Sequence, residues 1–323
     1  MAEIPLTQIV TLTINPALDV STSVNKMVPF TKMRCAPAHR DPGGGGINVA
    51  RVLKRLGIEA TATYPAGGST GQLLATLVER EGVRSVVIPT RNDTREDITI
   101  FDETTREQFR LVFPGAHLSE FEWQQCLDAI ARITPQAAFV IASGSLPAGV
   151  PADFYGRVAQ ASKGLGKVIV DTSGSSLKSA LEVGVYLIKP NLREFQELAG
   201  IASADEASLI EAGRYLFDRY HIEVIALSMG AGGALLMTRD AVLRANGFPI
   251  KPASVSGAGD SFLGAMVSSL VSDGRLDMAL RYGVAGGSAA LLNPGTELCR
   301  PADVHRLASE VIVTPIARHQ THG

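Results

Sequence analysis

The segment Ser-Gly-Ala-Gly-Asp-Ser-Phe (residues 256–262) places a carboxylate beside two glycines, directly before an apolar pattern with helical spacing. Gly257 and Gly259 would let the backbone at this helix start approach a ligand closely. The unpaired N–H groups of a helix N-terminus bind anions. Asp260 beside such amides could accept a hydroxyl proton during phosphoryl transfer. An aspartate that caps an ordinary helix fits the same pattern, so the spacing alone leaves both interpretations open.

A second glycine-rich segment, Pro-Gly-Gly-Gly-Gly-Ile-Asn (residues 42–48), also leads into a helical pattern. Four consecutive glycines would leave bare backbone against which a ligand can lie. Asn48 could then offer its side-chain amide to a substrate hydroxyl. A flexible loop is the alternative, but the position at a helix start between two differently patterned regions favours a binding role.

A third segment, Lys-Pro-Asn-Leu-Arg-Glu (residues 189–194), follows a buried strand pattern. Asn191 and Glu194 lie three residues apart at a predicted helix start, and their oxygens suit a hydrated Mg²⁺ ion. A capping box explains the same two residues without a metal. By itself this pattern does not decide between the two.

Further polar residues stand where ligand contacts are expected. Ser143 and the glycine-rich residues 228–233 each follow a buried strand pattern, and Asp19 could accept hydrogen bonds from sugar hydroxyls. Cations that could bind a phosphate dianion occur in more polar, strand-rich stretches. They are Lys32, Arg34 and Arg95.

Composition and missing motifs narrow the class of protein. The chain has 323 residues, 46% of them hydrophobic, and a net charge of −2, which indicates a globular protein with no electrostatic reason to bind nucleic acid or an anionic membrane. Three widely spaced cysteines without a CxxC pair support neither a disulfide framework nor a zinc site. No secretory or membrane-spanning pattern is found, so we expect a cytoplasmic protein. The P-loop and dinucleotide-binding signatures are also missing.

The elements that must position these residues follow two patterns. From about residue 118 onward, buried strands alternate with amphipathic helices, which predicts an α/β fold with a mainly parallel sheet covered by helices on both faces. Two polar, strand-rich stretches depart from that alternation and predict a small β-sheet lid. We expect the lid from residues 17–40 and 86–113 and the large domain from residues 1–16, 41–85 and 114–315. Residues 316–323 are expected to be a flexible tail.

Taken together and in this order, the motifs resemble the ribokinase-like (PfkB) carbohydrate kinase family over residues 9–307. The paired signatures are residues 43–51 and 255–262, and the run Thr-Leu-Thr-Ile-Asn-Pro-Ala-Leu-Asp (residues 11–19) is similar to the phosphosugar branch. Many members of that branch have lysine at the position of Gly45. The glycine here is similar to the minor, ATP-dependent 6-phosphofructokinase group of bacteria, as are residues 32–35, 113–116 and 292–296.

This resemblance implies a three-layer α/β/α domain with a β lid, and transfer of phosphate from ATP to fructose 6-phosphate to give fructose 1,6-bisphosphate. Asp260 would be the base, with the amides of Gly257, Ala258 and Gly259 as the anion hole. The implied sugar contacts are Asp19, Gly43, Gly44, Asn48 and Ser143, with Lys32, Arg34 and Arg95 at its phosphate. The implied ATP contacts are Lys189, Asn191, Ser228, Gly230, Gly232, Gly233, Ser288 and Asn293.

The resemblance also implies ions and a partner. Mg²⁺ would be organised indirectly by Asn191 and Glu194, and a homodimer would form through the lid. A monovalent cation, usually K⁺, would bind at Ser254, Ser256, Ala290, Asn293, Gly295 and Glu297. Tagatose-6-phosphate kinase or 1-phosphofructokinase activity remains an alternative from sequence alone. A sugar-phosphate sensor without catalysis and a Rossmann-type oxidoreductase are the alternatives from other classes.

Overall fold

The computed structural model describes residues 9–316, which form two sheets and ten α-helices within that range. The strands are β1 (Ile9–Leu12), β2 (Ala17–Val24), β3 (His39–Gly43), β4 (Thr61–Ala66), β5 (Arg84–Pro89), β6 (Arg95–Asp102), β7 (Gln108–Val112), β8 (Phe139–Ser143), β9 (Lys167–Asp171), β10 (Val185–Ile188), β11 (Ile222–Ser228), β12 (Ala234–Met237), β13 (Val242–Ala245) and β14 (Val313–Ile316). The helices are α1 (Gly45–Arg55), α2 (Gly68–Arg80), α3 (Glu120–Ile133), α4 (Phe154–Ala161), α5 (Gly174–Val183), α6 (Leu192–Ala199), α7 (Glu206–Arg219), α8 (Ala258–Asp273), α9 (Leu276–Ala290) and α10 (Pro301–Glu310).

The large sheet has the strand order β14-β13-β12-β11-β10-β9-β8-β1-β4-β5. The seven neighbouring strands from β11 to β5 in that order are parallel to one another. The other three strands, β12, β13 and β14, each pair antiparallel with their neighbours. Successive strand residues point to opposite faces. Ile9 and Ile141 therefore pack in the apolar cluster under α1, α8 and α9, whereas Val10 and Ala142 pack under α3, α4 and α7. The predicted three-layer α/β fold is confirmed.

The small sheet has the order β3-β2-β6-β7 and is separate from the large one. Its boundaries differ from the expected ones at two places. Residues 86–89 belong to β5, which pairs in parallel with β4 of the large sheet, and the small sheet resumes only at Arg95. Residues 41–43 lie in β3 rather than in the large domain. No helix separates residue 89 from residue 95, so the sequence pattern showed one continuous strand-rich stretch.

The four-glycine segment is mostly regular structure rather than an open loop. Gly43 ends β3, Gly45 and Gly46 begin α1, and only Gly44, at φ 113°, has a conformation that favours glycine. A Cβ at Gly46 would lie 2.6 Å from the Leu12 carbonyl oxygen. The glycines therefore allow the first turn of α1 to lie against the end of β1.

Two further expectations concern the chain as a whole. Within residues 9–316, no helix has the length and apolar character needed to cross a bilayer. The tail expected at residues 316–323 lies outside the described residues apart from Ile316, which ends β14.

Candidate active site

A cleft of about 380 Å³ lies where the C-terminal ends of β1, β8, β9 and β10 meet the N-termini of α1 and α8 and the inner face of the small sheet. Ligands of open α/β sheets bind at this edge because the loops after parallel strands converge there. The cleft brings together a large part of the sequence-predicted site: Asp19, Gly44, Asn48, Arg95, Ser143, Lys189, Asn191, Glu194, Ser256, Gly257, Gly259 and Asp260.

Asp260 occupies the first turn of α8 and is half-buried in the wall of this cleft. Its Oδ2 accepts a hydrogen bond of 2.9 Å from Asn48 Nδ2. Burial raises the pKa of the Asp260 carboxyl, and the Asn48 bond and the charges of Lys189 and Arg110 offset part of that increase. A carboxylate with a raised pKa is a stronger proton acceptor than an ordinary aspartate.

The backbone before Asp260 forms an anion-binding start of α8. Gly257 has φ 71°, and a Cβ there would lie 2.6 Å from Leu298 Cδ2, so the position requires glycine on two grounds. The N–H groups of Ala258 and Gly259 belong to the first turn, which has no intrahelical acceptors. These amides, together with the helix dipole, favour a negative charge at this point.

Lys189 and Asp171 form a buried ion pair at the floor of the cleft, with 3.3 Å between Nζ and Oδ1. Burial raises the pKa of Asp171 to about 6, although Lys189 opposes the increase. Burial alone would lower the pKa of Lys189, but Asp171, Asp260 and Glu194 outweigh it and raise the pKa. A Cβ at Gly259 would lie 3.3 Å from Lys189 Nζ, so the ammonium lies beside the amides of α8.

Asp19 projects from β2 into the same cleft. A Cβ at Gly43 would lie 2.5 Å from Asp19 Cγ, so glycine is what allows the carboxylate to lie against β3. Burial raises the pKa of Asp19 to about 7; Arg110 lowers it and Asp97 raises it further. A carboxyl in this state can exchange hydrogen bonds with hydroxyl groups.

The small sheet supplies two guanidinium groups to the cleft. Arg95 contacts Asp97 Oδ1 at 3.2 Å and the Phe113 carbonyl oxygen at 3.0 Å through Nη1. Its Nε is buried without a hydrogen-bond partner among residues 9–316. Arg110 on β7 also lines the cleft, and its guanidinium forms no hydrogen bond or ion pair with residues 9–316. Two incompletely paired cations on one wall suit a phosphate dianion.

Lys32 and Arg34, the other predicted phosphate contacts, are not part of the cleft. Both lie in the exposed segment between β2 and β3 and line neither of the two cavities next to α8. The sequence placed them in the lid correctly but could not show where that segment points. Within one copy of the chain, the structure does not bring them to the wall formed by Arg95 and Arg110.

A second cavity, of about 390 Å³, lies on the other side of the α8 N-terminus and is lined mainly by apolar groups. Gly259 borders both cavities, so the amides of α8 lie between them. Predicted nucleotide contacts that line it are Ser228, Gly230, Gly233 and Ser288, together with Ala258. Gly232 does not line it; its carbonyl oxygen accepts a hydrogen bond from Arg244.

Asn191 and Glu194 form a capping box at the start of α6. Each side chain accepts a hydrogen bond of 3.0 Å from the other residue's backbone N–H. The capping box expected as one of the two alternatives is therefore present. Both residues still border the cleft. Residues 9–316 contain no cluster of three His, Cys, Asp or Glu side chains able to hold a metal directly.

The predicted cation segment lies beside α8. Ser254 Oγ donates to the Gly295 carbonyl oxygen at 2.5 Å, which joins the segment before α8 to the segment after α9. Asn293 is buried and donates to the Leu298 carbonyl oxygen at 3.0 Å. Ala290 is buried in the core, and Glu297 pairs with Arg300 at 2.9 Å. The oxygen atoms in this segment are therefore mainly those of backbone carbonyls and side-chain hydroxyls.

Sequence reasoning did not select several residues that border the cleft. Asp171 could have been found because it ends a predicted buried strand next to Ser143 in the sheet. Arg110 lies in the predicted lid, and its alternation with Phe109 and Leu111 puts it on the opposite face of the strand from these two apolar residues. The others carried no distinguishing signal: Asn15, Asp97, Ser145, Thr172, Ser173 and Thr296.

Residues 15–303 match the family described as pfkB family carbohydrate kinase. The "ATP-dependent 6-phosphofructokinase isozyme 2" of Mycobacterium tuberculosis is 45% identical over 300 residues, which cover 93% of this chain and 88% of that protein. The protein of the same name from Escherichia coli is 37% identical over 304 residues, 94% of this chain and 98% of the relative.

Other relatives carry the names of different phosphosugar kinases. The "1-phosphofructokinase" of Bacillus subtilis is 31% identical over 307 residues, covering 95% of this chain and 99% of the relative. Among solved structures, that of phosphofructokinase-2 from E. coli in complex with potassium superposes with a TM-score of 0.90 at 36% identity, covering 94% of this chain and 99% of that one. The chain belongs to the pfkB family of carbohydrate kinases, ATP-dependent phosphotransferases that use a sugar hydroxyl as the acceptor.

Proposed function

We propose that this kinase phosphorylates the C1 hydroxyl of fructose 6-phosphate. The observation that carries the proposal is the position of Asp260 between the anion-binding amides of α8 and a cleft whose far wall presents Arg95 and Arg110. A substrate with a free hydroxyl at one end and a phosphate at the other fits this separation of charge. The similarity to 6-phosphofructokinases at 45% and 37% identity supports the same substrate.

In the proposed reaction, Asp260 accepts the proton of the C1 hydroxyl as that oxygen bonds to the terminal phosphorus of ATP. The bond from this phosphorus to the bridging oxygen of ADP breaks, and ADP leaves with the electron pair. The amides of Ala258 and Gly259 and the ammonium of Lys189 stabilise the negative charge on the transferring group. Asp19 and Ser143 hold the sugar hydroxyls. ATP extends from these amides into the apolar cavity next to Ser228 and Ser288.

Mg²⁺ and K⁺ fit the oxygen donors of the site. Asn191 and Glu194 keep free lone pairs beside the cleft, and a Mg²⁺ ion that retains water and binds phosphates needs few protein ligands. When bound, it would neutralise charge on the ATP phosphates. The uncharged oxygens around Ser254 and Gly295 suit a monovalent cation, and the E. coli relative has been crystallised with potassium.

A coupled assay of ADP release across fructose 6-phosphate, fructose 1-phosphate, tagatose 6-phosphate and tagatose 1-phosphate tests the proposal. We expect the highest kcat/KM with fructose 6-phosphate. A higher value with a 1-phosphate would contradict it and favour the activity named for the B. subtilis relative. Binding of a sugar phosphate without ADP formation would instead support a sensor.

Arg110 is expected to contribute more to sugar-phosphate binding than to turnover. Replacing Arg110 with methionine should raise KM for the sugar phosphate at least ~10-fold, since a charge-assisted contact contributes about 1.5–3 kcal/mol. kcat and KM for ATP should change by less than about 3-fold. Arg84→Met on the exposed edge strand β5 is the matched control. Equal effects of the two substitutions on KM would exclude the proposed contact.

The homodimer expected through the lid is supported by the outer face of the small sheet. On this face, Ile98 pairs with Leu111 and Ile100 pairs with Phe109 across β6 and β7. Phe109 and Leu111 are 38% and 47% exposed. An exposed apolar face of this kind is typical of an interface, and a second copy of the chain would cover it. The exposed segment that contains Lys32 and Arg34 belongs to the same lid.

Placing a charge on this face should separate the copies. Leu111→Glu is expected to give a monomer in sedimentation velocity, because a carboxylate cannot be buried there without a partner. Leu165→Glu, at an exposed apolar position of the large domain with 51% exposure, is the control and should leave the oligomeric state unchanged. A dimer that persists in the Leu111 variant would argue against the lid interface.

A further inference from the structure

Arg51 of α1 ends the signature of residues 43–51 but has no predicted role in the site, and its charge is buried. Only 1% of its side chain is exposed. Its Nε donates to Glu81 Oε1 at 2.8 Å and its Nη1 to the Pro42 carbonyl oxygen at 2.7 Å. Nη2 also approaches Asp41 Oδ1 at 3.5 Å. Ion pairs with Glu81 and Asp41 on two sides hold the guanidinium in one place and orientation.

The remaining contact of Arg51 leads to the catalytic base. Arg51 Nη1 donates to Asn48 Oδ1 at 3.0 Å, one helical turn away. A guanidinium has donors only, so the amide oxygen of Asn48 must face it. The Asn48 NH₂ group is thereby turned toward Asp260 Oδ2, at 2.9 Å. The opposite amide orientation would put a carbonyl oxygen against the Asp260 carboxylate and an NH₂ group against Arg51.

We infer that Arg51 is a positioning residue: it fixes the orientation of the Asn48 amide so that Asn48 donates to Asp260 and keeps the base ionised and aimed at the substrate hydroxyl. The inference rests on the proposed role of Asp260. Arg51 touches neither cleft nor substrate, and it lines neither cavity next to α8. Its positive charge also lowers the pKa of Asp260 across space, and its hydrogen-bonded path to the base runs through Asn48.

Other charges also face Asp260 and must be held constant in a test. Lys189 approaches from the end of β10, Arg110 from β7 and Asp171 from the end of β9. Arg51→Lys keeps the positive charge on α1 and disturbs none of these. A single ammonium cannot contact Glu81, Asp41 and Asn48 at the same time. The substitution therefore removes the rigid set of guanidinium donors but keeps the positive charge.

The matched control is Arg55→Lys, on the same helix. Arg55 also pairs with Glu81, at 3.4 Å, but has no bond to Asn48. We expect Arg51→Lys to lower kcat at least ~10-fold and to move the acid limb of kcat to higher pH, because the hydrogen bond that favours the ionised base is weakened. Arg55→Lys should stay within about 2-fold of the unaltered protein, with its acid limb unmoved.

A double-mutant cycle distinguishes positioning from a general loss of structure. In an Asn48→Ala background no amide remains to be oriented, so adding Arg51→Lys should change neither kcat nor the acid limb appreciably. If Arg51→Lys lowered kcat as much in the Asn48→Ala background as in the unaltered protein, the inference would be overturned. All variants are compared well below their melting temperatures.

A measurement that needs neither activity nor an Arg51 variant completes the test. In ¹³C,¹⁵N-labelled protein without substrate, the Asn48 side-chain N–H resonance should titrate with the pKa of the Asp260 carboxyl, whose signal is identified by its loss in Asp260→Asn. An Asn48 resonance indifferent to that titration would overturn the inference. Inactivity of the unaltered protein toward every phosphosugar would refute the proposed function instead, and the titration would still test the Asn48–Asp260 bond on which the inference depends.

Discussion

Replacing Asp260 with asparagine is expected to lower kcat by roughly 10²- to 10⁴-fold, the usual contribution of a general base. Asparagine keeps the shape of the side chain and can still contact Asn48, but it cannot accept the hydroxyl proton. KM for ATP should change little, because the apolar cavity is lined by other residues. Initial rates of ADP release at saturating sugar phosphate measure the effect.

The same substitution should not harm the fold. The folded-state pKa of Asp260 is raised, so the folded protein favours its neutral form, and ionisation costs stability as the pH rises above the ordinary value of 3.8. At pH 7 to 8 the asparagine variant should therefore melt at the same temperature or higher. Asp277→Asn, in the first turn of α9, is the control for the substitution itself. Near-normal turnover of a folded Asp260→Asn enzyme would refute its role as base.

The fold was predictable because its signals are local. Alternating buried strands and amphipathic helices dictate a parallel sheet between two helical layers, and the strand-rich stretches marked the small sheet. The boundary error at residues 86–89 arose where two strands of different sheets follow each other without a helix, as β5 and β6 do. Which sheet a strand joins depends on its pairing partner, and a single-strand pattern does not contain that information.

The site was predictable where a residue type and a backbone requirement coincide. Asp260 follows two glycines at a helix start, and Asn48 follows four, so local sequence marks both. Asp171 and Arg51 have no such mark. Each is defined by a partner distant in sequence, Lys189 for Asp171 and Glu81 for Arg51, and an isolated charged residue in a sequence usually lies at the surface. At Asn191 and Glu194 the local motif was clear but its role was not, because a capping box and a Mg²⁺ site predict the same two residues.

Replacing Lys189 with methionine is expected to have the second large effect, on stability and turnover together. The substitution leaves the Asp171 carboxyl in a nearly buried position, 14% exposed, without its partner. Removing one member of a buried ion pair costs about 3–5 kcal/mol, which corresponds to a fall in Tm of about 4–7 °C for a chain of this size. kcat should fall at least ~10-fold, because the ammonium beside the α8 amides is lost.

The stability loss should depend on pH in a defined direction. The pKa of Asp171 is about 6 with Lys189 present and must rise further without it. At pH 5 the carboxyl binds a proton at little cost, so the variant should lie close to the unaltered protein. Above about pH 6 the carboxyl is ionised in the unaltered folded protein and in both unfolded chains, whereas the folded variant retains its proton, so the deficit in Tm should grow between about pH 6 and 8.

Lys167→Met, on the strand β9 that also carries Asp171, provides the matched control for the Lys189 substitution. Lys167 is exposed and lies 4.3 Å from the centre of the Tyr186 ring, so its loss should cost about 0.5–1 kcal/mol. That contact involves no carboxyl group, and the small deficit should therefore be the same at pH 5 and pH 8. If the Lys189 variant also lost equal stability at both pH values, its ammonium would contribute through packing alone. The Asp171–Lys189 pair would then have no part in setting the charge at the floor of the cleft.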